Sequence, residues 1–321
     1  MSIRRATHAG SWYTSNADQL NAELSAWLAA VKPGPKDKYD PPAYLANRHA
    51  GYSYSGPTAA WAYKSINTDG IKRVFVLGPS HHVYLDGCAL TKYAEYETPI
   101  GNLPIEVGTV AELRATGKFS DMDIDTDEDE HSIEMHLPYI RKVFEGRDIS
   151  IVPILVGATS KEKEEVFGRL LAPYLAQDDT FFVVSSDFCH WGTRFSYTFY
   201  YSESPSSNPV RLGRTTSPPP TLSTFPIYES ISALDHEAME LLTLPPSTAC
   251  EAHAFFAEYL QRTKNTICGR HPIGVLLGAL TALQNNDRRA PHLQWVRYEQ
   301  SSKCHSVKDS SVSYASAFVT I

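Results

Sequence analysis

The run Val74-Phe-Val-Leu77, followed at once by Gly78-Pro-Ser-His81-His82, limits the fold more than any other stretch of this chain. It is apolar without alternation and too short for an ordinary helix, which fits a strand covered on both faces in a parallel sheet. In open α/β sheets, ligands sit beyond the carboxyl ends of such strands. Two further segments end the same way: Ala43–Ala46 runs into Arg48-His49-Ala-Gly-Tyr, and Phe181–Val184 runs into Ser-Ser-Asp187-Phe-Cys189-His190. Three strand ends thus carry His, His and an Asp/Cys/His group toward one place.

The remaining pattern alternates strands with helices. Ser15 with Asp18 three residues on reads as a helix cap, and Leu20, Leu24, Trp27, Leu28 and Val31 mark the apolar stripe behind it. Ser53–Gly56 reads as a turn, with Pro57 opening a short helix to Lys64. Gly101-Asn102 suits a hairpin within an antiparallel excursion between Cys88 and Glu106. Helices are predicted at 107–116, 161–175, 228–242, 248–262 and 273–283, the fourth opening on the capping box Thr248-Ala-Cys-Glu251. Strands are predicted at 150–157, 293–300 and 312–321. The expectation is an α/β fold in a single domain, residues 1–321, with a central mixed sheet flanked by helices. Residues 202–226, rich in Ser and Pro and poor in apolar side chains, read as a disordered insertion.

Charge and composition exclude several functions. The 29 Lys and Arg against 36 Asp and Glu give a net charge of -7 without a dense basic run, so nucleic acid is not an expected partner. No apolar stretch approaches the roughly 20 residues of a membrane span, and the N-terminus lacks a signal-peptide core. A cytoplasmic or nuclear protein is expected. The five cysteines are scattered, without a Cys-x-x-Cys pair, which argues against a disulfide framework or a structural zinc knot.

Histidine is both a metal ligand and a proton shuttle near neutral pH. His49, His81 and His190 at the strand ends, with Cys268 added, make a plausible nitrogen and sulfur metal site, although each histidine taken singly reads as a structural residue. Asp187 and His190 can pair as carboxylate and imidazole, or Asp187 can simply cap its turn. Cys268, just ahead of an apolar helix and close to Arg270 and His271, is expected to have a lowered pKa. Cys189 reads as a buried, inert thiol. Of His131, Glu134 and His136, one is expected to line the pocket and the others to cap or face solvent. The acidic run 127–130 reads as a solvated helix start, and His82, His236, His253, His292 and His305 lack supporting context.

Six motifs in order carry a family likeness: Thr7-His-Ala-Gly-Ser-Trp-Tyr13, His49-Ala-Gly-Tyr-Ser-Tyr54, Gly78-Pro-Ser-His-His82, Asp127-Glu-Asp-Glu-His-Ser-Ile-Glu-Met-His-Leu-Pro-Tyr139, Ser185-Ser-Asp-Phe-Cys-His-Trp-Gly192 and Ile267-Cys-Gly-Arg-His-Pro-Ile-Gly274. The chain closely resembles the Memo family over nearly its whole length, apart from 202–226. The resemblance implies a fold like that of the class III extradiol non-haem-iron dioxygenases, with His49, His81 and Cys268 as metal ligands and Asp187 and His190 as catalytic groups at the pocket. It implies one copper or iron ion per chain, metal-linked redox activity as an oxidoreductase, and a link to cell motility and cytoskeletal signalling. It also implies binding of phosphotyrosine-containing peptides or signalling proteins, so an adaptor without turnover stands as the alternative. Cysteine in place of the dioxygenases' carboxylate ligand makes catechol ring cleavage an unexpected activity. Asn47-Arg48 stands before His49 where the family usually carries proline, a departure that bears on the strand leading to the site.

Overall fold

Each continuous apolar run becomes an inner strand, because a strand hydrogen-bonded on both edges and covered on both faces has no side on which polar residues are needed. The structure, a computed structural model, describes residues 2–32, 44–47, 49–202, 209–213, 219–287 and 290–321, with the backbone alone at 44–47 and 287. The chain opens with β1 (Ile3–Arg4) and α1 (Ala17–Ala30), then β2 (Tyr44–Asn47), α2 (Tyr52–Lys64) and β3 (Arg73–Pro79). An excursion follows with β4 (Cys88–Leu90), β5 (Glu95–Tyr96), β6 (Leu103–Pro104), α3 (Val107–Ala115) and β7 (Ser120–Asp121). Next come α4 (Ile124–Asp129), α5 (His131–Glu134) and α6 (Leu137–Val143), ahead of β8 (Ser150–Val156), α7 (Lys161–Leu175) and β9 (Thr180–Ser185). The last third holds β10 (His190–Trp191), β11 (Phe199–Tyr200), β12 (Val210–Arg211), α8 (Ile227–Leu242), α9 (Ala249–Thr263), α10 (Arg270–Asp287), β13 (His292–Gln300) and β14 (Ser311–Thr320).

The main sheet runs in the order β10-β14-β2-β9-β3-β8-β4-β7, with β13 also paired to β14. Its centre, β2, β9, β3 and β8, is parallel, while β14 joins β2 and β4 joins β8 antiparallel, so the sheet is mixed. Val74 to Leu77 are fully buried, each worth about 1.5–3 kcal/mol in apolar transfer. Register sets the position of the site. Leu77 lies opposite Val184 of β9, and Asn47 opposite Ser185, so β2, β9 and β3 finish together and release His49, Asp187 and His81 from one edge. Helices α7 and α10 pack backbone to backbone: a Cβ at Gly168 would stand 2.4 Å from the amide nitrogen of Ala279.

Several boundaries differ from the sequence reading. Asn16, not Ser15, caps α1, its side chain accepting from the Gln19 amide. Helix α2 begins at Tyr52 and runs through Pro57, so 53–56 is not a turn. Tyr52 is buried with its hydroxyl on the Met135 carbonyl, and Gly56 lies against the Trp27 ring; burial of that face outweighs the proline signal. Helix α10 starts at Arg270, three residues earlier than the apolar stripe indicates. The expected disordered insertion at 202–226 falls in part on 203–208 and 214–218, outside the described residues. Between these, Val210–Arg211 pairs antiparallel with Phe199–Tyr200, and Leu212 is buried. Among the described residues no helix is long and apolar enough to cross a membrane.

Candidate metal centre

The strand ends open into a cavity of 660 Å³ lined by His49, His81, His131, Asp187, His190 and Arg194, with Trp12, Tyr54 and Phe195 also on its walls. His49, 2 % exposed, places Nδ1 2.6 Å from the Ser185 hydroxyl, which itself donates to the Ser132 carbonyl at 2.8 Å. A hydroxyl has one proton to give, so Ser185 accepts from His49 Nδ1–H and leaves Nε2 as an unprotonated lone pair. That nitrogen lies 3.2 Å from Cys268 Sγ. His81 is fixed by the same logic: its Nδ1 lies 2.9 Å from Glu130 Oε1, and an ionised carboxylate only accepts. Glu130 also accepts from the backbone amides of His81 and Ser132. Burial pushes Glu130 up, but the hydrogen bond and charge of His81, with the charge of His131, outweigh it and hold the carboxyl at about 2. With Nδ1–H committed to Glu130, Nε2 is the His81 nitrogen left to ligate a metal once its proton is lost.

His131, on α5, stacks on His81 with ring centroids 4.3 Å apart and lies 5.3 Å from His49. Burial, reinforced by the neighbouring His81, lowers His131 to about 3 and His190 to about 4, and carries His49 well below its ordinary value. Neutral imidazole is the form that ligates metal. His190 Nε2 is buried without a hydrogen-bond partner among the described residues and stands 3.9 Å from Asp187 Oδ2, too far for a hydrogen bond. Asp187 instead accepts from the His49 amide, and its Oδ2 is 3.9 Å from His49 Nε2.

Cys268 reaches the site because Gly269 lets its loop press against β9: a Cβ there would fall 2.3 Å from the Ser185 carbonyl oxygen. Its thiol is not acidified. Burial, then the charge of Asp187, raises Cys268; the amides of Asp187 and Gly269 and the charge of Arg270 offset only part of this. The helix-start argument fails because the sulfur is enclosed beside a carboxylate. Cys189 is fully buried and belongs to neither group of possible ligands around His49, its amide donating to Asp235.

Among the described residues, two trios of ligand atoms lie within 4.8 Å of one another: His49, His81 and His131, and His49, Asp187 and Cys268. His49 belongs to both, and the expected trio His49, His81 and Cys268 is split between them. Of His131, Glu134 and His136, one of which was expected to line the pocket, His131 is the residue that does so, directly after the carboxylate that holds His81. The acidic run is not a solvated helix start, since Asp127 and Glu130 are buried, the first against Arg4 and the second under His81. Nor do Glu134 and His136 face solvent. Glu134 takes hydrogen bonds from Arg4, the His8 amide and Tyr13, and His136 Nδ1 lies 3.0 Å from the Tyr63 hydroxyl. The Thr7–Tyr13 motif thereby grips Glu134 and sets Trp12 against His131, with ring centroids 4.5 Å apart.

The chain is similar to known proteins over almost its whole length. The chain is 45% identical to Protein MEMO1 of Homo sapiens and 46% identical to that of Mus musculus, each match covering 99% of this chain and 97% of the relative. The memo-1 homolog of Caenorhabditis elegans is 40% identical, over 99% of this chain and 83% of its own. A solved structure, an uncharacterized protein from Escherichia coli K12, is 14% identical with a TM-score of 0.46, covering 87% of this chain and 99% of that one. The Memo-like sequence pattern matches residues 4–318, and with relatives of this identity over almost the full length, the chain belongs to the Memo-like protein family.

Proposed function

We propose that the chain binds one copper or iron ion through His49, His81 and Cys268 and has metal-dependent oxidoreductase activity, in a protein tied to cell motility and cytoskeletal signalling. The observation that carries this reading is the pair of imidazoles whose Nδ1 atoms are committed to Ser185 and Glu130, so that Nε2 is the nitrogen each has left for a metal. The orphaned His190 Nε2 and the mixed nitrogen and sulfur donor set fit a metal. Such donors favour copper(I) or iron over magnesium or calcium. When bound, the ion would supply one-electron redox chemistry. The chain's own part is to hold the two lone pairs in place, to give up the Cys268 proton on binding, and to keep His190 neutral as a base facing the cavity. Asp187 stays beside His190, where its charge favours a proton arriving on that ring.

The test is oxygen consumption by untagged protein loaded with copper or with iron. Turnover that requires the ion and falls in His49→Ala supports the reading, and stoichiometric metal without turnover contradicts its enzymatic half.

A second reading has its own observation. Arg194 lines the cavity, and Tyr54 and Trp12 on its walls are 60% and 37% exposed, which suits a phosphotyrosine-containing peptide held without turnover. Phosphopeptide affinity that persists in metal-free protein and is lost in Arg194→Gln favours it.

A further inference from the structure

A second cavity, of 510 Å³, is lined by residues of α7, α9 and α10 and of the loop between the last two. That volume lies within the range of small-molecule sites. The loop that carries Cys268 lends this cavity Lys264 and Thr266, and Arg270 opens α10 directly after it, while the Thr266 hydroxyl also accepts from the His190 amide at 2.7 Å. The cavity therefore adjoins the histidine site through one loop and shares none of its lining side chains.

At its base, Glu164 lies between two histidines. His253 Nε2 is 2.6 Å from Oε2, and His271 Nδ1 is 2.6 Å from Oε1. A carboxylate that only accepts fixes protons on both nitrogens, leaving His271 Nε2 as the ring atom that can serve a ligand. The space for this cluster is made by Gly274, where a Cβ would stand 2.2 Å from Glu164 Oε2. Among the described residues Glu164 is the one carboxylate on the lining, and both of its oxygens are occupied by the histidines. Of the three lining cations, Lys161 is paired with Glu165, whereas Lys264 and Arg270 have no carboxylate partner among the described residues. Phe256, Ala257 and Leu260, on α9, give the cavity an apolar wall.

We propose that this cavity binds a small organic anion, its phosphate or carboxylate held by Lys264, Arg270 and His271 and its apolar body against Phe256, Ala257 and Leu260. Two unpaired cations beside an oriented imidazole supply charge-assisted donors for one acidic group, and the wall selects against fully hydrated inorganic ions.

Titration calorimetry of the full chain with phenyl phosphate and with benzoate tests this, with benzyl alcohol as the uncharged control; the two acids separate a phosphate ligand from a carboxylate one. Saturable binding of at least one acid, and none of the alcohol, is expected. Lys264→Asn combined with Arg270→Gln should weaken it by about tenfold or more. Ala257→Trp, which fills the apolar end, should abolish it, whereas His81→Ala should leave it unchanged. Lys264 is exposed and has φ of 54°, a conformation in which Asn is at ease, so that variant keeps the fold. Binding that survives the double variant but is lost in His81→Ala would assign the anion to the histidine cavity and overturn the proposal. Failure of both acids to bind would overturn it too.

Discussion

Ser185 decides which nitrogen His49 offers, because its single proton is committed to the Ser132 carbonyl. Ser185→Ala removes that acceptor and lets the ring change tautomer or turn, so metal affinity should fall by about 10 to 100-fold, as is usual when the partner of a ligating histidine is lost. Copper titration of the variant checks this, and parental affinity would show that the hydroxyl has no orienting role. His136 gives a separate test in stability. It is fully buried, and burial lowers its pKa to about 3. Above the unfolded value of about 6.5 it is neutral in both states and contributes nothing to pH dependence. Below that value the unfolded chain takes up the proton first, so stability should fall with pH, by up to about 1.4 kcal/mol per unit, until about pH 3. Urea unfolding between pH 7 and 4.5 should show a shallower decline in His136→Leu than in the parent; equal slopes would remove His136 as a cause. Neither Ser185 nor Glu130 was visible as a tautomer-setting group in the sequence. The pairs they form, 136 and 49 residues apart, exist only once the strand register is known.

At the scale of elements, the loop from Asn265 to Gly269 joins the sheet to the site only because Gly269 has no side chain. Gly269→Ala should cost about 1–3 kcal/mol through overpacking against Ser185 and Ser186, and should weaken metal binding by moving Cys268. Thermal unfolding and metal titration of one preparation check both effects, and a variant with unchanged melting temperature and affinity would contradict the close approach. The inner strands were legible because their apolar runs are short and unbroken, and the capping box of α9 was legible because its two bonds are local. Helix starts were less so. Pro57 and Ser15 carry the right local signals, but burial of Tyr52 and the cap at Asn16 prevailed, and neither contest can be judged without the packing partner.

For the whole molecule, Arg4 ties the N-terminus to the segment under the site. Its guanidinium donates to Glu134 at 2.7 Å, to Asp127 and to the carbonyls of Asp127 and Glu130, with Arg4, Asp127 and Glu134 all buried. Arg4→Ala strands two buried carboxylates, so a loss of about 3–5 kcal/mol is expected. A denaturation midpoint matching the parent would show that water replaces the guanidinium at no cost. The sequence foretold the parallel centre and the gathering of His49, His81 and Asp187, since all three follow from strands that end alike. It misjudged the 127–136 segment because a run of acids looks solvated until its partners, Arg4 and the ring of His81, arrive from distant parts of the chain.

If His49, His81 and Cys268 together hold the ion, as proposed, Cys268 must give up a proton from a thiol whose pKa is raised before metal arrives. The most direct measurement is titration of copper or iron into the parent, Cys268→Ser and Cys189→Ser, with melting temperature as the control for folding and proton release followed alongside. An affinity lower by at least about 10 to 100-fold is expected in Cys268→Ser, with less proton release, and parental behaviour in Cys189→Ser. Equal affinities and equal proton release in all three would remove Cys268 from the site and leave the histidines to bind the metal without it.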